Sequence, residues 1–229
     1  MKKKFLALLA VAIALTAHAA EKQHIRISTE QTHLILQVSP KNRLYQVYLG
    51  DKLAHTADFN HFNWNINPGS DGSYGVRGRE AYPASGGEDF FEPAIAITHA
   101  DGNQTTYLYY KNHSTQSVDG GTETVIQLSD DQYKVDVTLH YVAYNKENVI
   151  KTWSEIVHHE KKPISLWRYA STVLYFTASK YFLTSYNSDW AREGQPATQQ
   201  LTSGKKIIDT KLGTRAAMQN EPFFEVGFN

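Results

Sequence analysis

Closely spaced carboxylates are the first candidates for chemistry in this sequence, because general acid–base catalysis needs a proton donor and a proton acceptor at one site. Three pairs lie close together along the chain: Glu88/Asp89, Asp130/Asp131 and Asp189/Glu193. Neighbouring residues on a strand point to opposite faces of a sheet, so Glu88 and Asp89 cannot act together unless the chain bends there. Asp130 and Asp131 coincide with a predicted hairpin turn, where Asp is common. We therefore expect turn or salt-bridge roles for these pairs.

Other catalytic and metal-binding patterns are weak. The ten His residues are scattered, and the adjacent pair His158 and His159 lies where a strand is predicted to end. No His-x-His or His-x-x-x-His set with carboxylate partners occurs, so neither a metal site nor a cofactor is predicted. The chain has no Cys to act as a nucleophile, no Gly-x-Ser-x-Gly elbow and no glycine-rich phosphate loop. The residues alone argue against a self-contained enzyme.

The elements that carry these residues are predicted to be strands. Short runs rich in β-branched and aromatic residues alternate with turn signals, and no segment has a sustained helical period. In 133–143, apolar residues recur at every second position. The predicted strands are 24–28, 32–39, 44–49, 94–99, 105–110, 123–128, 133–143, 148–158 and 165–174. The sequence therefore predicts an all-β fold: a large antiparallel two-sheet sandwich (β-supersandwich) with few short helices.

Turn chemistry predicts which of these strands pair. Strands 94–99 and 105–110 should form a hairpin across Asp101-Gly102, because Gly supplies the positive φ that such a turn needs. Strands 123–128 and 133–143 should pair across Asp130-Asp131, and 148–158 should pair with 165–174. The segment 60–85 has no strand pattern, and long loops on β-scaffolds often carry function.

The N-terminal residues have the layout of a secretory signal peptide. Lysines follow Met1, an apolar run continues to Thr16, and small residues then supply a cleavage site. The apolar run is shorter than the about 20 residues that a membrane-spanning helix needs. We expect residues 1–20 to be a signal peptide and 21–229 to form one domain. The protein is then exported, to the periplasm or outside the cell, with no membrane association after cleavage.

Composition narrows the classes of partner. Lys plus Arg and Asp plus Glu each number 23, so no basic field is available to attract nucleic acid. Aromatic residues make up 12% of the chain, which suits both pleated sheets and surfaces that stack on sugar rings. No disulfide can form, so packing of the core must hold the exported domain together.

Three ordered motifs resemble one known family. They are Leu-Tyr-Gln-Val-Tyr-Leu-Gly-Asp-Lys-Leu at 44–53, Tyr-Pro-Ala-Ser-Gly-Gly-Glu-Asp-Phe-Phe-Glu-Pro-Ala at 82–94, and Ser-Asp-Trp-Ala-Arg-Glu-Gly at 188–194. The set is similar to the N-terminal domain of family 36 glycoside hydrolases, the family of many α-galactosidases, and covers most of the mature chain. One departure is Asp89-Phe90-Phe91, where many members have Asp-Phe-Arg.

The resemblance implies that structural and catalytic roles lie in two different domains. In this family the N-terminal β-sandwich packs against a (β/α)₈ barrel, and the barrel carries both catalytic Asp residues. The match of Lys134-Val135-Asp136 to the family's Lys-x-Asp nucleophile motif is interpreted as chance, because it lies inside a strand pattern. No barrel follows Asn229 in this sequence, so the expectation is an accessory domain or fragment of an exported α-galactosidase-like enzyme that acts on terminal α-galactosides. By itself the chain is not expected to be catalytic.

The resemblance also implies candidate site residues. Asp58 falls near an acidic loop residue that family sandwiches lend to the sugar pocket of a neighbouring subunit, and Trp64 lies close to it in sequence. These two are the candidate substrate-binding residues. Trp190 and Arg192 are expected to pack the domain against the barrel, where Arg can pair with a carboxylate. The implied partners are thus the catalytic barrel, further copies of the chain in a homo-oligomer, and galactoside sugars.

Two alternatives remain open. The chain could be a stand-alone carbohydrate-binding or scaffold module, which an exposed row of aromatic side chains such as Tyr74, Tyr82 and Trp64 would favour and their burial would oppose. A complete small hydrolase is the third interpretation, and no convergent acid–base set supports it. The accessory-domain interpretation predicts exposed apolar area and an unpaired strand edge near the C-terminus.

Overall fold

The computed structural model of the chain describes residues 23–62, 79–87, 92–178, 180–209, 211 and 219–228. These residues form twelve β-strands and one 3₁₀ helix, so the all-β prediction is confirmed. The described part of the chain contains no helix that is long and apolar enough to cross a membrane. The strands are β1 (His24–Ser28), β2 (Thr32–Val38), β3 (Leu44–Asp51), β4 (Ile95–Thr98), β5 (Tyr109–Val118), β6 (Gly121–Asp130), β7 (Val135–Tyr144), β8 (Val149–His158), β9 (Ser165–Tyr169), β10 (Tyr181–Asp189), β11 (Arg192–Leu201) and β12 (Asn220–Phe228), and the 3₁₀ helix spans Thr56–His61.

The chain divides into two compact units. The first ends at Tyr175 and contains β1 to β9, and the second begins at Phe176 and contains β10 to β12. The predicted signal peptide, residues 1–20, lies outside the described residues.

Two sheets of the first unit face each other across one hydrophobic core. The four-stranded sheet has the order β5-β6-β7-β8 and the three-stranded sheet the order β1-β2-β3, while β4 pairs with β9. All of these neighbours are antiparallel. The predicted two-sheet sandwich is therefore confirmed. Residues of both sheets that are no more than 3% exposed in this core are Ile25, Ile27, Leu34, Leu36, Ile126, Leu128, Val135, Val137, Leu139 and Ala143.

Strand β7 shows why the sandwich forms. Val135, Val137, Leu139 and Tyr141 all lie in the core and are at most 4% exposed. Side chains on a strand alternate between its two faces, so this period of two aims these four residues the same way. Burying each one stabilises the fold by about 1.5–3 kcal/mol before entropy is counted.

The three-stranded sheet buries its second face as well. Ile35 of β2 and Val47 of β3 pack with Phe59 of the 3₁₀ helix in a small separate cluster. The helix is thereby fixed to the sheet by an apolar anchor.

The turn at Asp101-Gly102 forms, but the hairpin predicted across it is wrong. Gly102 has a φ of 90°, the conformation that the turn requires. Strand β4 nevertheless pairs with β9 rather than with 105–110. The chain after the turn is diverted because Thr106 N donates a hydrogen bond of 3.0 Å to Ser85 O.

The predicted pairing of 148–158 with 165–174 is also wrong. Strand β8 pairs with β7 along its whole length, and β9 pairs with β4. A tight turn in which Asn148 has a φ of 53° joins β7 to β8, so the free edge of β7 is taken by its nearest neighbour in sequence. The hairpin predicted across Asp130-Asp131 is confirmed as the β6–β7 pair.

The second unit is one antiparallel sheet with the order β11-β10-β12. The central strand β10 buries Leu183, Ser185 and Ser188, whereas β11 is exposed along nearly its whole length. Pro196 lies in β11 opposite Tyr186 of β10. Because Pro has no N–H to donate, it fits a strand at the edge of a sheet.

Candidate functional site

The 3₁₀ helix Thr56–His61 carries the first predicted site residue, Asp58. The helical turn is closed by two backbone hydrogen bonds of 3.1 Å, from Asp58 N to His55 O and from Phe62 N to Phe59 O. Phe59 is 9% exposed and anchors the turn on the sheet below it. Asp58 therefore projects from a short rigid element rather than from a loose loop.

Aromatic contacts strengthen the anchor. The Phe59 ring meets His33 edge-on, with ring centroids 5.7 Å apart, and the Phe62 ring lies 4.9 Å from that of Tyr48. His33 Nδ1 accepts a hydrogen bond of 3.2 Å from Leu53 N. Burial lowers the pKa of His33, so the neutral ring that accepts this bond is favoured.

The Asp58 carboxylate lacks a recorded partner within the described ranges. The side chain is half-buried, and the structure records no hydrogen bond or ion pair for it among the described residues. A carboxylate fixed in position and left unpaired can accept hydrogen bonds from ligand hydroxyl groups. Trp64, the second predicted substrate-binding residue, lies outside the described residues.

Trp190 and Arg192 lie at the end of the β10–β11 hairpin in the second unit. Trp190 is 83% exposed, and its backbone N–H donates to Asp189 Oδ1 at 2.7 Å. Ala191 takes a positive φ of 55° to close the turn, and Arg192, which is exposed, pairs in register with Asp189. The hairpin thus presents an indole and a guanidinium at its tip.

The Asp130/Asp131 pair has the structural contacts expected of a turn and a salt bridge. Asp130 is 3% exposed, and its Oδ1 accepts hydrogen bonds from the backbone N–H groups of Gln132 (2.8 Å) and Tyr133 (2.9 Å). Asp131 pairs with Lys111 at the surface. Glu88 and Asp89 lie outside the described residues.

The Lys134-Val135-Asp136 match lies at the start of β7, as the strand pattern predicts. Asp136 accepts a hydrogen bond of 2.6 Å from Ser129 Oγ, and its other oxygen lies 2.9 Å from His159 Nε2. Both oxygens of this carboxylate therefore have partners on neighbouring strands or turns.

Sequence reasoning missed a surface pocket of about 420 Å³ in the first unit. Three connections converge on it: the turn after β4, the β6–β7 turn, and the chain between β8 and β9. The sequence predicted only a turn at Glu160-Lys161-Lys162-Pro163, because nothing in the sequence shows which other turns lie beside it. The lining residues are Ala100, Asp101, Gln132, Tyr133, Lys134, His159, Glu160, Lys161 and Lys162.

A hydrogen-bonded cluster fixes the floor of this pocket. His99 is 2% exposed, stacks on the Tyr133 ring at 3.7 Å, and lies 2.7 Å from Glu160 Oε1 through its Nδ1. The Tyr133 hydroxyl donates to Asp101 Oδ2 at 3.1 Å. A backbone N–H from Asn103 lowers the pKa of Asp101, and burial raises the pKa of Tyr133. Asp101 is therefore held as a carboxylate and Tyr133 as a neutral donor near neutral pH.

In the part of the chain that the structure describes, no group of three or more His, Cys, Asp or Glu side chains is arranged to hold a metal ion.

The two-sheet sandwich and its ordered motifs define the class of protein, a β-sandwich domain of glycoside hydrolases. Residues 42–228 match the family described as the glycosyl hydrolase family 36 N-terminal domain, and the chain belongs to this family. The resemblance expected from the motifs at 44–53, 82–94 and 188–194 is thereby confirmed.

Curated relatives are α-galactosidases. α-Galactosidase AgaA of Geobacillus stearothermophilus is 27% identical over 159 residues, which cover 63% of this chain and 22% of that enzyme. α-Galactosidase 2 of Hypocrea jecorina is 26% identical over 164 residues, 66% of this chain and 22% of the relative. The chain spans about a fifth of the length of these relatives.

Solved structures share the fold. Family 36 AgaA from Geobacillus stearothermophilus, whose variant has also been solved with raffinose, superposes with a TM-score of 0.74 at 23% identity, over 88% of this chain and 31% of that chain. The α-galactosidase from Lactobacillus brevis gives a TM-score of 0.76 at 19% identity, over 89% of this chain and 30% of that one.

Proposed function

We propose that this chain is the N-terminal accessory domain of an exported α-galactosidase-like glycoside hydrolase that acts on terminal α-galactosides. The catalytic carboxylates are supplied by a (β/α)₈ barrel, and the domain positions that barrel and completes its sugar pocket. The observation that carries the proposal is the family match over 42–228 together with the fifth of each α-galactosidase relative that the chain spans.

The structural roles of the acidic residues support a non-catalytic domain. Hydrolysis of a glycosidic bond uses two carboxyl groups on either side of the bond. Asp130 is sequestered by backbone N–H groups, and Asp136 is engaged on both of its oxygens. Neither side chain is available to approach a sugar without losing contacts that the fold uses.

Asp58 is the residue that we propose to contact sugar. Its carboxylate has no partner among the described residues, and Phe59 fixes the helical turn that bears it. In a homo-oligomer, such a carboxylate can reach the pocket of a neighbouring subunit and accept hydrogen bonds from galactose hydroxyl groups. Trp64 follows it closely in sequence and is proposed to stack on the same sugar.

The Asp58 proposal is tested in a fusion of this chain to a family 36 barrel joined after Asn229. Asp58→Asn removes the charge but keeps the shape, so KM for raffinose should rise about tenfold, the effect of one lost charge-assisted hydrogen bond. Thr56→Ser, an exposed change on the same helix, is the matched control and should leave KM unchanged. Identical kinetics for Asp58→Asn and the unsubstituted fusion would remove Asp58 from the sugar site.

Export rests on the N-terminal residues. The charged start, apolar run and small residues of 1–20 favour cleavage near Ala19 or Ala20. Intact-mass measurement of the protein recovered from the periplasm or the medium should show a chain that lacks this segment. A full-length chain confined to the cytoplasmic fraction would contradict export.

A stand-alone carbohydrate-binding module is the second candidate, and one observation favours it. Trp167 on β9 is 73% exposed, and its indole N–H donates to Thr98 Oγ1 at 2.7 Å, which fixes an open aromatic face. Tyr169, two residues on, is 70% exposed. Tyr82 takes no part in the expected row of exposed aromatics, because it is 3% exposed and hydrogen-bonds to Ala170 O. Tyr74 and Trp64, the other members of that row, lie outside the described residues. Loss of oligosaccharide retention in Trp167→Ala would support this candidate, and unchanged retention would dismiss it.

A further inference from the structure

The pocket lined by Tyr133, Lys134 and Lys162 carries positive charge that its own carboxylates do not neutralise. Lys134, Lys161 and Lys162 all line it, and the structure records no ion pair for any of them among the described residues. Two carboxylates share the lining, those of Asp101 and Glu160. The lining therefore contains three lysines and two acids.

Both carboxylates already have hydrogen-bond partners. Glu160 Oε1 lies 2.7 Å from His99 Nδ1, and Oε2 accepts a hydrogen bond of 2.9 Å from Ala100 N. Asp101 accepts from Asn103 N at 2.9 Å and from the Tyr133 hydroxyl at 3.1 Å. These hydrogen bonds occupy the two carboxylates but leave them charged, so the three lysines of the lining exceed its acids by one formal positive charge.

Backbone hydrogen bonds fix the chain at Lys134, one of the three lysines. Lys134 N donates to Asp130 O at 2.8 Å, and Lys134 O accepts from His159 N at 3.0 Å. These bonds tie the β6–β7 turn to the chain after β8. Pro163 restricts the backbone that follows Lys162, and Glu160 before the two lysines is held by His99 and Ala100 N.

We infer that this pocket binds a sugar that bears an oxyanion, either a carboxylate or a phosphate. Its volume of about 420 Å³ falls in the range of ligand pockets and suits a monosaccharide. The Tyr133 ring offers an aromatic contact to the sugar ring, the Gln132 amide can hydrogen-bond its hydroxyl groups, and Lys161 and Lys162 bind the oxyanion as point charges. The site is separate from Asp58 and does not depend on α-galactoside hydrolysis.

Calorimetric titration of the mature chain at low ionic strength tests the inference. The probes are galacturonate, galactose 6-phosphate, galactose and inorganic phosphate. At least one of the two anionic sugars should bind with a Kd of about 1 mM or tighter, and galactose and inorganic phosphate should each bind at least tenfold more weakly. Which anionic sugar binds more tightly identifies the oxyanion. Raised salt should weaken the binding, because the lysines are exposed.

Variants locate the site. The double variant Lys161→Ala/Lys162→Ala should weaken binding of the anionic sugar at least tenfold. Lys146→Ala, in the β7–β8 turn outside the pocket, is the matched control and should bind as the unsubstituted chain does. Equal binding by the double variant, equal binding of galactose, equal binding of inorganic phosphate, or no binding of either anionic sugar would each overturn the inference.

Discussion

Strands β7 and β11 have the same length and are stabilised in opposite ways. Both contain ten residues. Val135, Val137 and Leu139 of β7 lie in the core of the first unit, whereas the side chains of β11 are exposed up to the half-buried Leu201. Strand β7 is therefore stabilised by burial, and β11 by hydrogen bonds to β10. Strand length alone says little about what holds a strand in place.

The two units also differ in how far their strands are buried. The first unit has a sandwich core of its own, whereas β12 of the second unit lies at a sheet edge among the described residues. Phe223, Phe224 and Phe228 of β12 are 52%, 58% and 67% exposed. These are the exposed apolar area and strand edge that the accessory-domain interpretation predicts near the C-terminus.

The largest expected effect concerns a buried ion pair in the first unit. Arg43 and Glu80 are both 6% exposed at their side chains, and Arg43 Nε donates to Glu80 Oε1 at 2.6 Å. Glu80→Ala leaves the guanidinium buried without its main counter-ion and should lower the free energy of unfolding by about 3–5 kcal/mol in urea titration. Lys111→Ala, which breaks the exposed pair with Asp131, should cost about 0–1 kcal/mol. Equal costs would mean that burial does not set the value of these pairs.

The next effect compares the two strands directly. Leu139→Ala in β7 creates a cavity in the sandwich core and should cost about 2–5 kcal/mol. Gln199→Ala in β11 changes an exposed position and should stay within about 0.5 kcal/mol. Urea unfolding followed by far-ultraviolet circular dichroism gives both values. A Gln199→Ala cost similar to that of Leu139→Ala would break the contrast between a buried and an exposed strand.

The smallest expected effect is a pH dependence from His33 beneath the Asp58 turn. Burial lowers the pKa of His33, and the charges of Arg26 and Lys52 lower it further. Below the ordinary pKa of about 6.5 the unfolded chain binds more protons than the folded one, so stability falls as the pH drops and levels off below the folded-state pKa. Well above the ordinary pKa, His33 is neutral in both the folded and the unfolded chain and has no effect on the pH dependence of stability.

The His33→Asn variant isolates this contribution. Its amide oxygen replaces Nδ1 as the acceptor for Leu53 N–H but does not titrate. The Tm difference between the unsubstituted chain and the variant should therefore change between about pH 7.5 and about pH 5.5, with the unsubstituted chain losing more. Parallel Tm curves would show that His33 is not held neutral by its surroundings.

The strands that could be predicted from the sequence are those with buried, alternating apolar residues. Strands β1 and β7 were found because their apolar residues alternate, and alternation is visible in a linear sequence. Strands β5 and β11 were missed because their side chains are largely polar and exposed. The β4–β9 pair was missed because its partners lie about seventy positions apart, and no local sequence pattern links residues at that separation.

Among the candidate site residues, those whose role depends on neighbours in sequence could be predicted, and those whose role depends on distant contacts could not. The position of Asp58 came from resemblance, and the helical turn that fixes it rests on packing of Phe59 that no local pattern reveals. The lysine pocket was missed because Lys134 and Lys162 lie on different turns, which meet only in the folded sandwich. Asp130 was predicted correctly as a turn residue, since its role depends on neighbours in sequence.

Turnover of an aryl α-galactoside by the purified mature chain tests the central claim most directly. We predict no hydrolysis, because Asp130 and Asp136 are occupied by structural hydrogen bonds and the proposed function assigns the catalytic carboxylates to a separate barrel. Hydrolysis that persists through purification and is abolished by Asp136→Asn or Asp89→Asn would contradict it and place the catalytic site within this chain.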